Sequence, residues 1–409
     1  MTTGTRVKLA LLLGSLSAFA PLTIDMYLPA LPGMARSLHS NPGTIQLTLT
    51  VFVIGLAAGQ LVVGPLSDAW GRRRPLLAGI ALYVASSACC AVAPTAGWLI
   101  GGRVLQSFGA AAAIVLARAI VRDLFDGIAM TRFFSRLMLV KGVDPVLSPV
   151  IGSQLLAIAS WRTVFVVLTA VGAVLFLAVL LALPESLPIQ RRQSADLPAR
   201  LRTFAILGRD TEYLRHVLAG ALTFAAMFAY ISGSSFVLQQ AYGLSAAQFS
   251  VVFGTNGLGI VLFGQLNGLL VGRVATEHAM LVVSLSVAAA GSLGVLLATS
   301  LGAPLPLLLA GLFAMVSMVG VVLANTTSVA LAAHGERAGA ASSLQGLLQF
   351  LVAGLASSAM GLAGRGSPTG MGVAMFLCAG AALATYAGRR PRRAASLEVR
   401  PEPESLAAA

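Results

Sequence analysis

Two carboxyl groups, Asp25 and Asp144, stand inside long apolar stretches of this chain, where an ionisable side chain is costly and therefore informative. A carboxyl in such a place can take up and release a proton as its surroundings change. Asp25 lies in APLTIDMYLPALP, with Pro29 and Pro32 loosening the helix beyond it. It either caps an outer interface or faces an internal cavity. Asp144 lies in KGVDPVLSPVIG, three residues after Lys141. At that spacing the two share a helix face and can pair; otherwise Asp144 is a second titrating site, or either residue is a polar contact for a substrate. Arg103 opens GRVLQSFGAAAA, and either extends its charge outward along its stem or holds a permanent cation inside. The other twelve acids fall in polar segments or at their borders. The four histidines (His39, His216, His278, His334) sit in or beside loops, and no Ser/His/Asp constellation is present. Cys89, Cys90 and Cys378 lie in apolar runs without metal-ligand spacing. Neither enzyme chemistry, nor a metal, nor a cofactor is expected.

The elements that must hold these groups are set by composition. Of 409 residues, 57% are apolar and 10% charged, with a mean hydropathy of +0.88, whereas soluble domains carry about 25% charge. The net charge of +13 would suit nucleic acid if it formed a patch, but the basic residues punctuate apolar runs instead; nucleic-acid binding is excluded. A crossing helix needs about 20 mostly apolar residues. Such runs occur near 9–31, 45–66, 75–97, 98–121, 137–159 and 162–183, and again near 214–238, 249–272, 279–300, 304–330, 340–363 and 369–388. The expected fold is an all-α membrane protein of twelve transmembrane helices in two six-helix bundles, 1–190 and 213–390. A linker at 191–212 and a disordered tail at 391–409 complete it. With both termini cytoplasmic, 22 basic residues fall on the cytoplasmic side and three (Arg36, Arg162, Arg365) on the other. Arg6 and Lys8 ahead of LALLLGSLSAFA imitate a signal peptide, but Pro21 follows the would-be cut after Ala20, so an uncleaved first span is expected. The halves carry a faint parallel repeat: GQL recurs at 59–61 and 264–266, each in the second span of its half.

Between the second and third spans runs GQLVVGPLSDAWGRRRP, residues 59–75. Its Gly64, Asp68, Gly71, Arg72 and Arg73 resemble the signature loop of the major facilitator superfamily, with Ala69 where that family has a basic residue. DMYLPALP, together with this loop, resembles the Bcr/CflA group of drug:proton antiporters. That resemblance implies that Asp25 is the coupling acid, and that Arg103, within R-x-x-Q-x-x-G with Gln106 and Gly109, approaches it and biases its protonation. It implies that Pro145, Pro149 and Gly152 form the fifth-helix antiporter motif, bending that helix and packing it against the other half. It also implies that Asp68 docks at a helix terminus of the other half, with Arg72 and Asp123 completing a cytoplasmic latch. Lys141 and Asp144 depart from the group's pattern. So does Ser17, where some relatives carry a second acid, which points to neutral or zwitterionic substrates.

Tyr27, Gln46, Gln106, Gln239, Asn256 and Gln349 are candidate cavity residues, while the Phe and Met of the seventh, tenth and twelfth spans read as packing. The function implied is proton-coupled efflux of small amphipathic drugs across a bacterial inner membrane. The partners are a small-molecule substrate, protons and the lipid bilayer, and a monomer is expected. The alternative is a proton-coupled importer or facilitator of a small metabolite on the same fold.

Overall fold

The computed structural model describes residues 3–124, 144–192, 197–332, 334, 338–362 and 368–386. Lys141 and the tail 391–409 lie outside them. In the first half the helices are α1 (Thr3–Asp25), α2 (Pro42–Trp70), α3 (Arg73–Ala91), α4 (Ala96–Leu124), α5 (Asp144–Ile158) and α6 (Arg162–Ala182). In the second they are α7 (Thr211–Phe236), α8 (Ala246–Leu270), α9 (Glu277–Leu301), α10 (Leu305–Ala332), α11 (Ala338–Leu362) and α12 (Pro368–Ala384). Ten segments among the described residues are long and apolar enough to cross a membrane, and α5 and α12 are shorter apolar helices. This is the twelve-helix, two-bundle membrane architecture expected from the apolar runs.

Polar residues end these helices where the sequence turns from apolar to polar. Asn41 caps α2 by accepting from Thr44 N at 2.7 Å, and Thr276 caps α9. Ser245 and Gln248 form a reciprocal capping box on α8. Asp210 caps α7, accepting from the amides of Glu212 and Tyr213. The segment between the bundles is not all coil: residues Leu197–Leu207 form a helix whose Phe204 and Leu207 are buried against Tyr213, Val217 and Ala341 of the second bundle.

Within the first bundle α4 packs on α1, α2 and α3, and α3 packs on α6; within the second, α7 packs on α10, α11 and α12, and α10 on α8 and α9. The parallel repeat is visible in atoms. A methyl on Gly109 of α4 would lie 2.5 Å from the Gly79 carbonyl of α3, and one on Gly311 of α10 would lie 2.9 Å from that of Gly291 on α9. The two equivalent helix pairs therefore touch backbone to backbone. The turns after α2 and α8 also match, since Gly71 and Gly272 take φ of +89° and +77°, a region that favours glycine. We call the end bearing these turns the turn end, and the opposite one the far end.

The bundles meet along α2 and α11. Among the described residues, four hydrogen bonds cross between them in the far half. Gln46 Nε2 donates to Ser232 O at 3.2 Å and Ser235 Oγ to Leu28 O at 2.7 Å. Gln239 Nε2 donates to Pro29 O at 3.2 Å and Ser250 Oγ to Pro149 O at 2.8 Å. The last turn of this part of α7 continues as a π-helical segment, Val237–Ala241, which carries Gln239.

Candidate functional site

A cavity of about 210 Å³ lies between the bundles, and Asp25 is on its wall. Asp25 is the last residue of α1; Pro29 has no N–H to offer its carbonyl, so the chain leaves the α-helix there and passes through a 3-10 turn at Leu28–Ala30. The side chain is 6% exposed. Ser17, Ala20 and Pro21 continue the α1 wall one and two turns back, so the cavity runs along that helix. From the second bundle come Phe224, Met227, Phe228 and Tyr230 of α7, Phe253 and Asn256 of α8, and Phe350 of α11. These rings contact one another: Phe224 with Phe228 at 4.9 Å and with Phe350 at 5.5 Å, and Tyr230 stacked on Phe253 at 5.6 Å. Asn256 Nδ2 donates to the Tyr230 hydroxyl at 2.9 Å, fixing the phenol in the wall. Asp144, buried at the start of α5, accepts from Ser148 Oγ at 2.7 Å.

The arrangement differs from the sequence expectation in three ways. First, Arg103 does not approach Asp25. It is fully buried, with its guanidinium 4.4 Å from the Tyr27 ring centre and 4.1 Å from that of Phe52. It donates to Gln106 Oε1 at 2.7 Å and reaches the Thr48 and Thr23 carbonyls at 3.4 and 3.5 Å. Aromatic faces, a glutamine and two long carbonyl contacts surround this cation inside its own bundle, while its Nη2 is buried without a hydrogen-bond partner. Second, of the cavity candidates only Asn256 lines the wall. Tyr27 and Gln106 belong to the Arg103 cage, and Gln106 also donates to Ser87 Oγ. Gln46 and Gln239 join the bundles at the far end, and Gln349 sits beside Gly220 within the second bundle. Third, of the Phe and Met read as packing, those of the seventh span, Phe224, Met227 and Phe228, line the apolar wall, while Met315, Met371 and Met375 of the tenth and twelfth are packed in the core. Their spacing on α7, at 224, 227 and 228, was the legible signal.

The fifth-helix motif meets the other bundle at its prolines. Pro149 offers its carbonyl to Ser250, and a methyl on Gly257 of α8 would lie 2.6 Å from Pro145 Cβ. Gly152 instead lies against the Met26 backbone of its own bundle.

At the turn end, Arg72 gathers the acids. Its Nε is 2.8 Å from Asp123 Oδ2, and its Nη1 is 2.5 Å from Asp68 Oδ1 and 2.7 Å from Ser67 Oγ. Ser186 Oγ donates to the same Asp123 oxygen at 3.2 Å. Glu185, which the sequence reading left unassigned, accepts from the amides of Arg72 (2.8 Å), Leu187 (3.0 Å) and Arg73 (3.2 Å). Partial desolvation pushes the Glu185 carboxyl up, but those three amides and the Arg192 charge outweigh it and hold it below the usual glutamate range. Gly71 presses on this carboxylate, which explains why a side chain is not accommodated there. Gly64, Asp68, Arg72 and Asp123 line a second cavity of about 160 Å³, closed on its other side by Gly339, Ser342 and Ser343 of α11. Arg118 lines both cavities.

Residues 13–357 match the family model of the Major Facilitator Superfamily. The chain belongs to that superfamily. It is 38% identical over 376 residues to an uncharacterised MFS-type transporter of Bacillus subtilis, YdgK, covering 91% of this chain and 93% of the relative. It is 30% identical over 348 residues to a bicyclomycin resistance protein homolog of Haemophilus influenzae, covering 85% and 87%. It is 27% identical over 329 residues to the multidrug resistance protein MdtL of Klebsiella pneumoniae, covering 80% and 82%. Among solved structures, a bacterial homolog of the lysosomal transporter Spinster, in an inward-facing conformation, superposes with a TM-score of 0.73 at 17% identity. That comparison covers 94% of this chain and 97% of the other. The D-xylose-proton symporter superposes at 0.75 and 14%, covering 94% and 98%. These likenesses establish the facilitator fold. The chain is a multi-pass membrane transporter, and its resemblance to Bcr/CflA drug exporters is matched by the names of its relatives.

Proposed function

We propose that the protein exports small amphipathic compounds, antibiotics among them, across a bacterial cytoplasmic membrane in exchange for protons. The observation that carries this reading is the Asp25 carboxyl on the wall of a mostly apolar, aromatic cavity between the two bundles. The drug-resistance names of the relatives support the cargo class. The turn end is the cytoplasmic side, as its basic residues imply, and the protein works as a monomer. The bundles, 1–190 and 213–390, rock about the cavity. Open to the cytoplasm with Asp25 ionised, the protein binds a compound against the aromatic wall. The far end then opens, Asp25 takes a proton, and the compound leaves; the protonated form returns and releases the proton inside. Asp144, buried on α5 of the same bundle, tunes that exchange.

One charge crossing 100 mV is worth about 2.3 kcal/mol, so one proton at roughly 180 mV supports about a thousandfold gradient. In liposomes with an imposed pH gradient and a panel of antibiotics, wild-type protein should accumulate at least one compound. Asp25→Asn should bind it yet only equilibrate it. Gradient-driven accumulation by Asp25→Asn at the wild-type rate would remove this carboxyl from the mechanism.

A further inference from the structure

Arg118 is a cation without a partner among the described residues. It sits on α4 six residues before the helix ends at Leu124, on the wall shared by the central cavity and the turn-end cavity. Its side chain is accessible, yet what it is accessible to is the space between bundles. No hydrogen bond or ion pair holds it, and the acids nearest in the chain are engaged elsewhere: Asp123 and Asp68 are bound to Arg72. The only other charge it faces on its own helix is Arg122, one turn on, which repels it. Arg103, by contrast, is fully buried between the Tyr27 and Phe52 rings and bound to Gln106, and it lines neither of these cavities. The fold thus cages one arginine of α4 and leaves the other open to the space between the bundles.

An uncompensated guanidinium in such a space is unfavourable until an anion or water meets it, and its planar fork matches a carboxylate in a two-point contact. Asp25, on the same cavity wall, repels an anion whenever it is ionised, but attracts an amine. We infer that Arg118 is the docking group for a carboxylate on the transported compound, so that the cavity selects amphoteric aromatic compounds carrying a carboxylate for Arg118 and an amine for Asp25. The rings of Phe224 and Phe350 take the aromatic body. The inference rests on the efflux reading above and adds to it the charge class of the cargo.

The test uses the full-length protein in detergent micelles and three probes: a piperazinyl quinolone, its methyl ester, which lacks the carboxylate, and its N-acetyl derivative, which lacks the amine. Wild-type protein should bind the parent compound more tightly than either derivative. Arg118→Gln should weaken the parent by about tenfold to a hundredfold, the range of a charge-assisted contact, down to the level of the ester. The ester itself should bind as well as before or better, and Arg118→Lys should recover part of the loss. Equal losses for parent and ester, or no loss for either, overturns the inference, as does a wild-type protein that prefers the ester. Because binding in micelles needs no gradient, the two failures separate. Carboxylate selectivity without gradient-driven transport in liposomes sinks the efflux reading alone, and transport without that selectivity sinks this one alone.

Discussion

On the proposed cycle the far-end hydrogen bonds hold that end closed, and the effect of removing two of them should be measurable. Ser235 Oγ and Gln239 Nε2 reach across to the Leu28 and Pro29 carbonyls, at 2.7 and 3.2 Å. A neutral intramolecular hydrogen bond contributes about 0.5–1.5 kcal/mol net of what water would supply. The pair therefore contributes about 1–3 kcal/mol to the closed far end. The two are not independent, because Gln239 Nε2 also donates to Ser235 Oγ at 2.8 Å, so single removals should not add. Taking about 2 kcal/mol, the Ser235→Ala/Gln239→Ala double variant should raise the ratio of far-end-open to far-end-closed protein about thirtyfold. Spin labels at Ser37→Cys and Ala247→Cys, both exposed and on opposite bundles at this end, report it by pulsed dipolar distance measurement, with the native cysteines replaced by alanine. A longer distance should gain population in the double variant, and not in Ser292→Ala, whose hydroxyl bonds only to Ala288 O of its own helix. If the folded double variant keeps the wild-type distance distribution, these bonds do not govern closure and the clamp reasoning fails.

Three further expectations follow from the other contacts. Arg72→Gln removes the guanidinium that Asp68 and Asp123 share in a part-buried setting, which should cost about 2 kcal/mol, between the surface and buried limits. It should lower the melting temperature in detergent and slow turnover with selectivity unchanged; altered selectivity at normal speed would contradict a gating role. Glu185→Gln tests linkage at the turn end. Because the folded carboxyl titrates below its unfolded value of about 4.3, its contribution is present at neutral pH and fades as pH falls through the folded value. The gap in melting temperature between wild type and variant should therefore be widest near pH 7 and narrow toward pH 3, and a gap that widens on acidification would refute the assignment. Gly109→Ala places a methyl 2.5 Å from the Gly79 carbonyl and 2.7 Å from Tyr83 Cβ. It should destabilise by about 1–3 kcal/mol, seen as poorer yield and a lower melting temperature, and an unchanged melt would mean that α3 and α4 can separate freely.

Much of this was legible before any coordinates. The twelve apolar runs gave the spans because in lipid a helix must satisfy its own backbone and side-chain hydropathy alone decides burial. Gly64, Asp68, Gly71, Arg72 and Asp123 were legible through the resemblance to the superfamily's signature loop, and the structure gathers Asp68 and Asp123 on Arg72. Glu185 was not, since it lies far along the chain from the amides it binds and nothing local marks it. The aromatic wall was missed for a different reason. In a chain that is apolar nearly everywhere, Phe224 on a cavity and Phe165 in a packed core have the same local pattern, and only the arrangement of neighbouring helices separates them. Arg118 was counted toward the topology, which its charge does support, and so its depth inside α4 went unremarked.

The two arginines of α4 show why sign and spacing alone misplace a role. Arg103 and Arg118 are both cations on one helix, and a carboxyl in the same bundle invites pairing with either. What decides is the cost of leaving each charge uncompensated. Arg103 has two ring faces, two carbonyls and a glutamine within reach, all from its own bundle, so its energy changes little when the bundles move. It can hold α1, α2 and α4 together through the cycle, but it is poorly placed to sense that cycle. Asp25 and Arg118 face the space between bundles, where every reorientation alters hydration and neighbours. A group can couple cargo to conformation only if its surroundings differ between the two states, and by that criterion the proposed cycle rests on the pair at the cavity wall rather than on the caged Arg103.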